Sequence, residues 1–113
     1  MIKYAIIFLE WAKEFLDNLD PKTRKKVIYN VWKSRNVNDP ELFKKLDENI
    51  WEFRTKFQNK QIRLLAFWDK TEKKETLVIA THGFIKKTQK TPKSEIKKAE
   101  KIRKKYFKER GIK

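Results

Sequence analysis

The spacing of apolar residues changes twice along this chain, and that limits its fold more than any other feature. Up to Trp32 the spacing is helical: Leu9, Ala12, Phe15, Leu16 and Leu19, then Val27, Ile28, Val31 and Trp32. From Ile50 the period is two, with Trp51, Phe53 and Phe57 on one side of an extended chain and Glu52, Arg54 and Lys56 on the other. Helical spacing returns at Ile96, Ala99, Ile102 and Tyr106/Phe107. Such a chain is neither all-helical nor all-strand. It reads as α+β.

Residues 3–7 are expected to form a strand leading into a helix over 9–19. Asp20-Pro21 starts a second helix, because Asp accepts from free amides and Pro at the first helical position gives up an amide with no partner. Residues 9–36 are then an αα-hairpin, broken between Asn36 and Pro40. A turn of helix is expected at Leu42–Leu46. Strands follow at Ile50–Phe57, Gln61–Trp68 and Thr76–Phe84, joined at Asn59-Lys60 and through a charged turn, Asp69–Lys74, as an antiparallel meander. Thr91-Pro92 opens a last helix over Pro92–Arg110, and Gly111 ends it. The order is β-α-α-β-β-β-α, one domain over residues 1–113 with no repeat or linker.

Composition supports folding: 39% of residues are hydrophobic, with four Trp and eight Phe, against 40% charged. There is no Cys and a single His, which excludes a disulfide framework, a zinc ribbon and a His-based metal site. Gly occurs only at Gly83 and Gly111, too few for a P-loop or dinucleotide-binding loop. The apolar run Tyr4–Leu9 stops at Glu10, too short for a signal-peptide core or membrane span, so a soluble, cytoplasmic protein without a cofactor is expected.

The net charge is +15 and it is gathered at one end. Residues 1–50 carry ten Lys/Arg against eight Asp/Glu, and residues 51–85 seven against four. Residues 86–113 carry thirteen against three. A general Lys bias would raise Glu in step, and Glu does not follow. The skew points to a polyanionic partner, nucleic acid or an acidic protein.

Several segments stand in a telling order: Asn18-Leu19-Asp20-Pro21-Lys22-Thr23-Arg24, Lys45-Leu46-Asp47, Ile50-Trp51-Glu52-Phe53-Arg54 and Ile62-Arg63-Leu64. They lead to the most specific block, His82-Gly83-Phe84-Ile85-Lys86-Lys87-Thr88-Gln89-Lys90-Thr91-Pro92. In these segments the chain resembles the phage-derived, HigB-like branch of the RelE/ParE toxin superfamily over nearly its whole length. The resemblance implies a small RelE-like fold, an αα-hairpin packed on a twisted antiparallel sheet, with a basic C-terminal helix. It also implies a cognate antitoxin, expected to be a small helix-turn-helix protein, and cleavage of mRNA on the ribosome.

RNA cleavage without a metal uses the 2′-hydroxyl to attack the neighbouring phosphate. A group must take the 2′ proton, another must protonate the leaving oxygen, and cations must hold the charge on phosphorus. Arg suits that last task because its planar fork donates two hydrogen bonds at once. By the resemblance, Arg54 contacts phosphate or base, and Arg63 stabilises the transition state. The alternative is that each Arg simply pairs with Glu52 or solvates the sheet. Lys86 and Lys87, read as lying just past the third strand, supply charge or a base of lowered pKa, or else form a solvated turn. His82 is either a general acid or base or a packed strand-end residue. Lys56, Lys90, Lys93 and Lys97 are expected to contact RNA. Removing Arg63 is expected to leave the fold intact, since it relieves repulsion among cations.

Two departures from the family pattern concern proton transfer. Some RelE relatives use a Tyr on the C-terminal helix, whereas Tyr106 falls on the core stripe here. The acidic and histidine residues some HigB toxins carry near the C-terminus have no counterpart after Lys90. The four Trp read as core residues, with base stacking by Trp51 or Trp68 as the other possibility. Two rival functions fit the same residues: a ParE-like toxin that poisons DNA gyrase without cutting RNA, and a non-enzymatic nucleic-acid-binding module.

Overall fold

The computed structural model describes residues 4–71, 76–87 and 89–111. Its elements are β1 (Ala5–Phe8), α1 (Glu10–Asp17), α2 (Pro21–Lys33), β2 (Phe43–Lys45), β3 (Trp51–Phe57), β4 (Lys60–Asp69), β5 (Leu77–Lys86) and α3 (Lys93–Glu109). The five strands form one sheet in the order β1-β5-β4-β3-β2. The fold class is α+β, as expected, and no described helix is long and apolar enough to cross a membrane.

Four readings of the chain need correction. The sheet is mixed rather than wholly antiparallel, because β1 runs parallel to β5, Ala5 beside Leu77 through Phe8 beside Ala80. Leu42–Leu46 holds no helical turn. Phe43–Lys45 is instead an edge strand, drawn in because the Phe43 ring stacks on Phe53 at 4.3 Å while Leu42 accepts from the Arg54 amide. The β3–β4 turn is Gln58-Asn59, both at positive φ (50° and 63°), so Lys60 already belongs to β4. Two such residues give the twist that a two-residue hairpin requires. Finally, β5 extends to Lys86, two residues further than expected. The expected turn at Asp69–Lys74 lies partly outside the described residues.

The helix signals behave as read. Asp20 caps α2 by accepting from the Thr23 amide, Pro21 is the first helical residue, and Gly111 at φ 72° follows α3. Arg24 donates to the carbonyls of Leu16, Asp17 and Leu19, fixing the start of α2 to the end of α1.

The sheet is covered on both faces. On one, Ala12 and Leu16 of α1 and Val27 and Val31 of α2 pack with Phe53, Ile62, Leu64, Ala66, Val78 and Ala80. On the other, Ala99 of α3, flanked by Ile96, Tyr106 and Phe107, covers Leu65, Phe67, Leu77 and Ile79. Gly83 lets α1 approach, because a Cβ there would collide with the Phe15 ring. α3 is also tied by polar contacts. The buried Asp69 carboxylate accepts from Tyr106 Oη at 2.7 Å, and Asn49 donates to Glu100.

Candidate functional site

A one-residue bulge in β5 decides which side chains meet. Leu65 of β4 pairs with His82, but its neighbour Ala66 pairs with Ala80, so Thr81 is the extra residue. Before the bulge, Leu77 and Ile79 face α3 while Val78 and Ala80 face α1 and α2. After it the phase is inverted, and His82, Phe84 and Lys86 take the α3 side. The register then sets Glu52 and Leu65 beside His82, Arg54 and Arg63 beside Phe84, and Lys56 and Gln61 beside Lys86.

Arg54, Lys56, Gln61, Arg63, Lys86, Lys87 and Gln89 line a cleft of about 540 Å³ at this end of the sheet. Five of these seven are cations. At its base lies Glu52, 3% exposed, with Arg63 at 1%. Glu52 Oε1 is 3.4 Å from Arg63 Nε and accepts from Thr91 Oγ1 at 2.7 Å, while Oε2 is 3.7 Å from Arg54 Nε. Arg63 also donates from Nη1 to the Ile62 carbonyl and from Nη2 to Gln61 Oε1. Arg54 donates from Nη1 to the Pro40 carbonyl. Both Nε atoms are buried and, among the described residues, make no hydrogen bond, only the longer ionic contact to Glu52. One carboxylate thus faces two guanidinium groups, and the remaining positive charge opens into the cleft.

Burial lowers the pKa of Arg63 from its ordinary 12.5, Glu52 opposing and Arg54 adding to the shift. An arginine so displaced remains positively charged at neutral pH. Lys86 donates from Nζ to the Gln89 carbonyl at 2.8 Å. Its pKa is also pushed down, first by burial, then by Arg63, with Glu52 opposing and Arg54 and Lys44 adding to it.

The structure therefore brings Arg54, Lys56, Arg63, Lys86 and Lys87 together, and leaves His82 apart. His82 is buried, with Nε2 3.0 Å from Glu95 Oε1 on α3 and Nδ1 3.0 Å from Thr81 Oγ1. Burial lowers its pKa and the Glu95 hydrogen bond opposes this. It stands mid-strand beside the bulge, not at a strand end, and joins β5 to α3. Lys90, Lys93 and Lys97 are exposed and do not line the cleft. Among the described residues, no group of His, Cys, Asp and Glu could hold a metal.

Sequence reasoning passed over Glu52 as a site residue, together with Gln61, Gln89, Thr91 and Lys44. Alternation already placed Glu52 beside Arg54 on one strand face. Its partnership with Arg63 depends on the β3–β4 register, which two non-glycine residues at positive φ set.

Matched against known proteins, residues 14–104 fit the family model of phage-derived Gp49-like proteins (DUF891), a span that includes every residue of the cleft. No curated protein matches the chain.

Proposed function

Since the chain belongs to the phage-derived Gp49-like family, we propose that it is the toxin of a type II toxin–antitoxin pair, with a RelE-like arrangement, that cleaves mRNA on the ribosome. The observation that carries this reading is the convergence of Arg54, Lys56, Arg63, Lys86 and Lys87 on one cleft. An RNA phosphate fits that cleft. Arg63 and Arg54 are fixed by Glu52 and by carbonyl groups before any ligand arrives, so they need little reorganisation to meet charge developing on phosphorus. Lys86, its pKa pushed down by burial and by Arg63, is suited to take the 2′ proton. Lys56 and Lys87 at the rim hold flanking phosphates. Protonation of the leaving 5′-oxygen falls to water or to ribosomal groups, because His82 is engaged by Glu95 and Thr81. The antitoxin is an acidic or helix-turn-helix partner that neutralises this surface.

The test is expression without the antitoxin, followed by primer extension on a translated message. New 5′ ends inside codons, together with growth arrest, are expected. Intact transcripts with gyrase-linked DNA breaks would instead establish a gyrase poison.

A further inference from the structure

A second recess lies at the opposite end of β3 and β4 and has no part in the cleavage chemistry above. Trp51 at the start of β3 and Trp68 near the end of β4 form its aromatic wall, with Lys45, Lys70 and Arg103 around it. Glu48 and Asn49 complete the lining of about 390 Å³. The two indoles meet edge to face, with centroids 5.6 Å apart and planes at 74°, and both are half-buried. Lys70 Nζ lies 5.5 Å from the Trp68 ring centroid. Arg103 is held by Glu100 at 2.9 Å, which leaves Lys45 and Lys70 as the exposed cations.

Two half-buried indoles and two exposed cations in one recess match a nucleotide: the base stacks on an indole and the phosphate meets Lys.

We propose that this recess is a second subsite that binds one nucleotide of single-stranded RNA, stacked on the Trp51 ring with its phosphate on Lys45 and Lys70. The proposal rests on the RNA-binding reading above and extends it. Arg63 and Trp68 lie five positions apart on β4 and therefore on opposite faces of the sheet, Arg63 on the α3 side and Trp68 on the side of α1 and α2, so a mononucleotide occupies one place and only a longer strand reaches both.

The indole N–H resonances of the full chain, titrated with adenosine monophosphate and with a single-stranded octaribonucleotide, test this. Both ligands should shift Trp51 and Trp68 while leaving Trp11 and Trp32 in place. Trp51→Leu should weaken octanucleotide binding about tenfold or more. Lys70→Ala, at an exposed position that does not threaten the fold, should weaken it less and reduce its salt dependence. The proposal fails if the octanucleotide moves the Arg63 Nε–H signal and leaves both indoles unmoved, a result that keeps the cationic cleft as the RNA site. It also fails if Lys70→Ala binds like the parent. If neither set of signals moves, the RNA-binding reading falls and this subsite falls with it.

Discussion

Arg63 Nε lies 3.4 Å from Glu52 Oε1 inside the sheet's α3 face, and neither side chain is more than 3% exposed. Arg63 is thus both a cation of the cleft and one half of a buried ion pair. Removing one half of such a pair leaves the other charge without compensation.

This reverses the expectation that losing Arg63 spares the fold. Arg63→Ala should lower stability by about 2–3 kcal/mol, somewhat below the usual range for a broken buried pair because Arg54 and Thr91 still hold Glu52. Arg63→Lys separates stability from function, since it retains the charge and loses the planar fork. It should fold, with urea denaturation close to that of the parent, and should lose roughly a hundredfold or more in RNA cleavage. Full toxicity in a folded Arg63→Lys protein would remove Arg63 from the site.

Gly83→Ala tests the close packing of α1 on β5. The added methyl would collide with the Phe15 ring, and Phe15 belongs to the core on that face. Overpacking of this kind costs about 1–3 kcal/mol. A fall in thermal midpoint is expected, together with its partial recovery in a Gly83→Ala, Phe15→Leu double variant. An unchanged midpoint in the single variant would mean that α1 shifts without penalty.

Much of this architecture was legible in the sequence. Period-two spacing set Glu52, Arg54 and Lys56 on one face of β3, and Asp20-Pro21 marked the start of α2. Less legible were features that depend on partners distant in the chain. β1 was read as a strand, but its parallel pairing with β5 needs a crossover of nearly the whole domain. Phe43 becomes a strand residue only because Phe53 and Trp51 offer it a stacking surface. The bulge at Thr81 leaves no local mark, yet it turns His82 toward Glu95 and Lys86 toward Arg63. For that reason Lys86 belonged in the cleft for a cause the sequence did not display, and His82 did not belong there at all.

Acid sensitivity should follow from His82. Burial holds its pKa below the ordinary 6.5, so the unfolded chain binds a proton more readily than the folded one. Its contribution to stability is present above pH 6.5 and is lost as pH falls through the folded value. Denaturation midpoints should therefore decline on acidification below neutrality, before the carboxylates titrate. His82→Gln should have a flatter profile over the same interval. A decline of the same steepness in His82→Gln would assign the effect to another group.

The salt dependence of RNA binding can identify which cations touch phosphate. Binding to a single strand releases counterions, and log affinity falls with log salt with a slope of about −0.7 for each phosphate neutralised. Arg54, Lys56, Arg63, Lys86 and Lys87 all line the cleft, whereas Lys93 and Lys97 are exposed residues of α3 outside its lining. If the cleft is the contact surface, Lys56→Ala and Lys87→Ala should each make the slope shallower by about 0.7. His82→Gln should leave it unchanged, because that side chain is buried against α3. Lys93→Ala and Lys97→Ala separate two accounts of the thirteen Lys/Arg in residues 86–113. A shallower slope in either variant means that α3 contacts the RNA backbone beyond the cleft, as the charge skew alone suggests. An unchanged slope in both removes these two α3 lysines from the RNA contact and leaves the basic face of α3 for the antitoxin. A parent slope near zero would defeat both, since no phosphate would then be neutralised on binding.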